Sequence, residues 1–191
     1  ISNCGYFQMV NHQLNEISKS SAVHSTLVID DKSSCSFNKL RGKKSRINHG
    51  LKILKKKIVF EKNYWKINAS HDGYLKLHGI VHDREIEFYP EQLKYIGHDK
   101  IIFNKGIKNL KFEIRFHLEP NVKVMKTQDG KSILIDLNGE GWKFSSDNLM
   151  MDIDKGLYFG KKNSFTDNQN IFISGMTNEE NQTIRWEITK L

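Results

Sequence analysis

Proline and cysteine are scarce in this chain: two of each in 191 residues, Pro90 and Pro120, Cys4 and Cys35. With so little proline there is no Pro-rich linker, no low-complexity stretch and no repeat to mark a boundary, so residues 1–191 read as a single domain. Two widely spaced cysteines are neither a disulfide framework nor a metal cluster. Whether they pair depends on the redox compartment. No apolar run approaches the roughly 20 residues needed to cross a bilayer as a helix, so no membrane insertion is expected. The chain also lacks a recognition helix and any interleaved aromatic-basic motif, which argues against nucleic acid as a partner.

What is present is basic charge, 30 Lys and Arg against 22 Asp and Glu, a net +8. The charge is spread along the chain, as solvated lysines are. Its one dense run is Lys52, Lys55, Lys56 and Lys57. An anionic polysaccharide would be attracted by the same long-range field as nucleic acid. The first residues, Ile1 to Tyr6, read as part of a strand rather than a native start, so upstream sequence is expected. Any signal segment would lie there.

The hydrophobic pattern is that of β-structure. Leu110, Phe112, Ile114, Phe116 and Leu118 alternate with Lys111, Glu113, Arg115 and His117, the period of a strand with one buried and one wet face. Ile184, Trp186 and Ile188 alternate in the same way with Arg185, Glu187 and Thr189. Further strand-like runs are 23–30, 53–60, 65–70, 79–89, 101–104, 132–137 and 170–174. Turn signals separate them, among them Asp30-Asp31-Lys32, Asp72-Gly73 and Asn138-Gly139. Only Leu14 to Ser20 suits a short helical turn. The expected fold is all-β: an antiparallel, multi-stranded β-sandwich of a dozen or more strands with almost no helix.

Eight histidines are many for this length. Four stand in distinctive settings: Val23-His24-Ser25-Thr26-Leu27-Val28-Ile29-Asp30-Asp31, Ala69-Ser70-His71-Asp72-Gly73-Tyr74, Val81-His82-Asp83-Arg84, and Ile114-Arg115-Phe116-His117-Leu118. With Asn3-Cys4-Gly5 before them and Gly139-Glu140-Gly141-Trp142 after, these segments follow an order that resembles the C-terminal β-domain of the heparinase II/III family of bacterial polysaccharide lyases. The resemblance spans essentially the whole chain.

That resemblance implies a longer protein, with an N-terminal α/α toroid of helices ahead of this β-sandwich and an active site in the cleft between them. It implies β-elimination on a uronic-acid-containing, anionic polysaccharide, with much of the catalytic set on the helical domain. The periplasm is a plausible location. By resemblance, His24 is the candidate catalytic residue of this domain, and His71, Tyr74 and Arg84 are candidate substrate-binding residues, with Lys43 a further nearby cation. His82 and His117 are weaker candidates. Several family members hold zinc through two His and one Asp, which makes His24 and His71 candidate ligands.

The carboxylate for such an ion is harder to find. Asp30 lies six residues from His24, roughly 20 Å along a straight strand, whereas zinc ligands sit about 2 Å from the metal. Asp72 reaches His71 only through a turn, and the segment 36–45 contains no aspartate. A competing reading is a non-catalytic carbohydrate-binding or structural module, with Trp65, Trp142, Tyr74 and Tyr158 able to stack on sugars.

Overall fold

The computed structural model describes residues 1–9, 12–38, 46–104, 109–147, 149–162, 164–178 and 180–191. The strands, in chain order, are β1 (Leu27–Ile29), β2 (Ser36–Asn38), β3 (Arg46–His49), β4 (Ile53–Glu61), β5 (Tyr64–His71), β6 (Ile80–Tyr89), β7 (Lys94–Phe103), β8 (Lys111–His117), β9 (Lys123–Lys126), β10 (Ser132–Leu137), β11 (Glu140–Ser146), β12 (Met150–Tyr158), β13 (Thr166–Met176) and β14 (Gln182–Lys190). Among the described residues, helix is confined to two α-helices, α1 (Gln13–Ile17) and α2 (Leu75–His78), and two 3-10 turns, Ser21–Val23 and Pro90–Gln92. The expected all-β sandwich is the fold.

Two antiparallel sheets face each other. The larger has eight strands in the order β4-β5-β6-β7-β14-β11-β10-β9, the smaller four in the order β1-β8-β13-β12, and β2 and β3 form a separate ribbon. The alternation in β8 places Phe112, Ile114 and Phe116 inward at 0–1% exposure, against Ile171 and Ile173 of β13 and the inward row of β14, Ile184, Trp186 and Ile188. Phe116, Phe144 and Trp186 pack ring against ring at centroid distances of 4.8–6.2 Å. The β10–β11 hairpin turns at Asn138 and Gly139, both with positive φ, as the Asn-Gly pair requires.

Several expectations change in detail. Residues 1–6 form no strand; only Gly5 bridges, to Phe159. That segment runs over one end of the small sheet, where Cys4, Phe7 and Phe159 make a second, smaller core with Leu14, Ile17 and Val23. Cys4 and Cys35 are both free thiols, and burial raises the Cys4 pKa to about 11. The outward residues Glu113 and His117 of β8 are buried: Lys111 and Arg115 pair with the Glu113 carboxylate, while Ala22 O accepts from His117 Nε2 and Ser25 Oγ from the His117 amide. The strand expected over 23–30 shrinks to β1, with His24 ahead of it at the end of the 3-10 turn.

Candidate functional site

At the centre of the large sheet's inner face lies Asp99, completely buried on β7. It is a carboxylate on the apolar phase of a strand, between Gly97 and Ile101. An isolated buried carboxylate is unfavourable, so its environment must supply donors. Four do. Oδ1 accepts from His82 Nε2 at 2.6 Å and Arg84 Nε at 2.7 Å; Oδ2 accepts from Arg84 Nη2 at 3.1 Å and Trp186 Nε1 at 2.8 Å. Burial pushes the Asp99 pKa up, but the Arg84 charge and the His82 bond outweigh it and hold it well below the usual carboxylate range. Strand pairing delivers these partners: Arg84 is opposite Asp99 across β6 and β7, and Trp186 is opposite Gly97 across β14 and β7. A β-carbon on Gly97 would sit 2.0 Å from the Trp186 ring, so only glycine lets the indole reach Asp99.

His71 continues the network. Its Nε2 is 3.3 Å from His82 Nδ1, and its Nδ1 is 3.2 Å from the Gly73 amide. An amide can only donate, so His71 Nδ1 is an acceptor and the neutral ring carries its proton on Nε2. That proton faces His82 Nδ1, which must accept, leaving the His82 proton on Nε2, aimed at Asp99. The chain Gly73 → His71 → His82 → Asp99 therefore runs in one direction, with both tautomers fixed. Burial first, and repulsion from His82 second, lower the His71 pKa to about 4.

The other arm runs through Arg84. Its Nη1 donates to the Ser25 carbonyl. Ser25 Oγ in turn donates to Ser2 O and accepts from the His117 amide. His24, the residue before Ser25, is half-buried, with Nε2 3.2 Å from the Ser18 carbonyl. Since a carbonyl only accepts, Nε2 holds the proton and Nδ1 the lone pair. Burial lowers the His24 pKa, with the Ser18 bond a smaller opposing effect. Below these groups is an open cavity of about 480 Å³, walled by Ser25, Arg84, Trp65, Tyr95, Trp142 and Trp186.

His24 bonds outside this network, to Ser18 O, and shares no hydrogen bond with His71. His24 is electrostatically coupled to His117, and His71 to His82. A zinc ion does not fit the donors as arranged. Both His71 nitrogens are committed, to Gly73 and His82, and no cluster of three or more His, Cys, Asp or Glu side chains is placed to hold a metal among the described residues. Tyr74, expected to face substrate, is 0% exposed; its hydroxyl donates to Leu27 O at 2.7 Å, tying α2 to β1. Lys43, and with it residues 39–45 of the segment 36–45, lies outside the described residues. Asp99 was not singled out in the sequence, and His82 only as a weaker candidate. The available signal was a lone aspartate on the inward phase of β7.

Residues 1–187 match the family described as heparinase II/III-like, C-terminal. The chain belongs to this family. Among curated proteins it is similar to FtsZ-localized protein C of Caulobacter vibrioides, 29% identical over 133 residues, covering 65% of this chain and 23% of that protein. Among solved structures it is similar to heparan sulfate lyase HepC from Pedobacter heparinus, with a TM-score of 0.77 and 13% identity over 98% of this chain and 28% of that one. A heparinase III gives 0.74 and 12%, covering 100% and 28%. At those identities the structural likeness shows the fold alone. This heparinase II/III-like chain spans about a quarter of the length of each of these relatives.

Proposed function

We propose that this domain is the β-sandwich part of a polysaccharide lyase that cleaves a uronic-acid-containing polysaccharide by β-elimination, and that it lines a cleft closed by a helical unit of the same polypeptide. The observation that carries the reading is the state of His24. Its one proton is held by Ser18 O, burial favours the neutral ring, and Nδ1 keeps a lone pair with no partner among the described residues. A neutral, fixed imidazole with a free nitrogen suits proton abstraction or relay. In the elimination a base takes the C5 proton, the freed pair forms the C4–C5 double bond, and the C4–oxygen bond breaks as an acid protonates the leaving oxygen.

In this reading Arg84 holds the Ser25 carbonyl while Asp99 shares its charge, so it positions the His24 segment. His71 and His82 brace that arrangement from the far side. The net charge of +8 supports an anionic chain as partner. The test is the full-length polypeptide against a panel of uronate polysaccharides, following ultraviolet absorbance of the unsaturated product. No rise with any substrate would end the lyase reading. Binding without cleavage would select the second reading, a non-catalytic carbohydrate-binding module, which draws on the aromatic row Trp65, Phe88 and Tyr95.

A further inference from the structure

Each of the two facing sheets ends in strands paired on one side only: β4 and β9 in the large sheet, β1 and β12 in the small one. Such a strand turns alternate amides and carbonyls away from its neighbour, so its edge is a template for another strand. Three of the four edges are short or closed. β1 has three residues and β9 four. β12 has nine, but its own aspartates occupy its amides: Asp152 Oδ1 accepts from the Ile153 amide at 2.9 Å, and Asp154 Oδ1 from the Lys155 amide at 2.8 Å. β4 also has nine, and among the described residues no side chain accepts from an amide of its stretch Lys55–Glu61. Past the irregularity at Leu54, that stretch pairs with β5 in unbroken register, so its free side is a regular ladder.

Charge decides what fits the ladder. Residues Lys52 to Glu61 hold four lysines and one glutamate. Lys55 and Lys57 pair with Ser70 and Asn68 and point to the outer face; Ile58 and Phe60 pair with Ile67 and Trp65 and point to the inner one. The carboxylate beside Lys55, on Asp83, is 4.0 Å away, and Lys57 has no ion pair among the described residues. The geometry points to β4 as a docking edge for an extended acidic polypeptide segment, which adds to the large sheet as a further strand. Its carboxylates lie over Lys55 and Lys57, and its apolar side chains lie beside Ile58 and Phe60. Main-chain bonds supply the affinity and alternate side chains the specificity. A second copy of β4 would set lysine near lysine, which opposes self-pairing. A polysaccharide could neutralise the lysines, but has no backbone amides repeating at the strand's two-residue spacing of about 6.6 Å. None of this depends on lyase chemistry.

The test is binding of a fluorescent, acetylated peptide of alternating Glu and Val, matched in length to Lys55–Glu61, to the full-length polypeptide at low salt, followed by anisotropy. In an added strand, one alternate set of peptide amides faces β4 and the other faces water. Two N-methylated versions, each blocking one set, should therefore differ: one binds like the parent, the other at least about tenfold more weakly. Lys55→Glu with Lys57→Glu should weaken the parent at least about tenfold. The same charge change at Lys131 and Lys143, exposed toward the far end of the strand order, should alter binding less than about twofold. No binding of the parent peptide would overturn the proposal. Equal binding of the two methylated versions, or equal weakening by the two charge variants, would overturn it in favour of unspecific charge attraction. If a uronate oligosaccharide, and not the peptide, lost its binding in the Lys55→Glu, Lys57→Glu variant, the run would be a polysaccharide track and the proposal would fall. Peptide binding that strengthens on dilution of the polypeptide would overturn it in favour of a second copy held at the edge.

Discussion

Arg84 grips both oxygens of Asp99, Nε to Oδ1 at 2.7 Å and Nη2 to Oδ2 at 3.1 Å, at the centre of the sheet. Its third contact, Nη1 to the Ser25 carbonyl, makes Asp99 the anchor of a segment on the opposite sheet. Asp99→Asn removes the charge and replaces one acceptor oxygen with a donor, facing groups that all donate. Breaking a buried pair in this way costs about 3–5 kcal/mol. Urea unfolding should show a loss of that order. A loss below about 1 kcal/mol would mean that the pair behaves like a surface bridge.

His71 predicts how stability depends on pH. Its pKa is lowered from 6.5 to about 4 by burial and by His82. The unfolded chain therefore binds more protons than the folded chain between those values, and stability rises with pH there. The contribution is fully present above pH 6.5 and is lost as pH falls toward about 4. His24, His78 and His117 shift in the same direction, each first by burial. Thermal unfolding temperatures should fall on acidification through this window, and His71→Gln should flatten the slope. An unchanged slope in that variant would remove His71 from the account.

Gly97→Ala tests the close approach of Trp186. The new methyl would lie 2.0 Å from the ring, which cannot move without losing its bond to Asp99. Overpacking of this kind costs about 1–3 kcal/mol. The fluorescence of Trp186 should change together with the unfolding midpoint. An unperturbed midpoint would show that the ring relaxes freely.

Tyr74→Phe separates a structural role from a substrate role. Loss of the hydroxyl bond to Leu27 O should cost about 0.5–1.5 kcal/mol and leave substrate affinity alone, because the ring is fully buried. A changed KM with unchanged stability would restore the substrate role.

Much of the fold was legible because period two was clean where one face met the core, as in β8 and β14. It failed where that phase was broken. β7 runs from Lys94 to Phe103, but only 101–104 read as strand, since Gly97 and Asp99 occupy inward positions where apolar residues are expected. Those are the positions that build the site. His24 and His71 stood out through neighbouring residues, but their separation into two environments is tertiary. It depends on which carbonyl or amide meets each ring, and no spacing encodes that. Tyr74 misled for the same reason: beside His71 in sequence, it turns into the core at the start of α2.

The last prediction concerns His24 in the full-length protein. If Nδ1 handles the proton, removing the ring should lower turnover by about 10²–10⁴-fold while leaving the fold intact, because the ring is tied to the domain through a bond to Ser18 O. His24→Ala and His24→Gln should be equally slow, since neither supplies a basic nitrogen. The pH profile adds a constraint that a structural role does not. Burial lowers the His24 pKa below its ordinary 6.5, so the acid limb of kcat/KM should lie below that value and vanish in the Gln variant. A variant that keeps full turnover, or loses it only together with its unfolding midpoint, would reduce His24 to a structural residue.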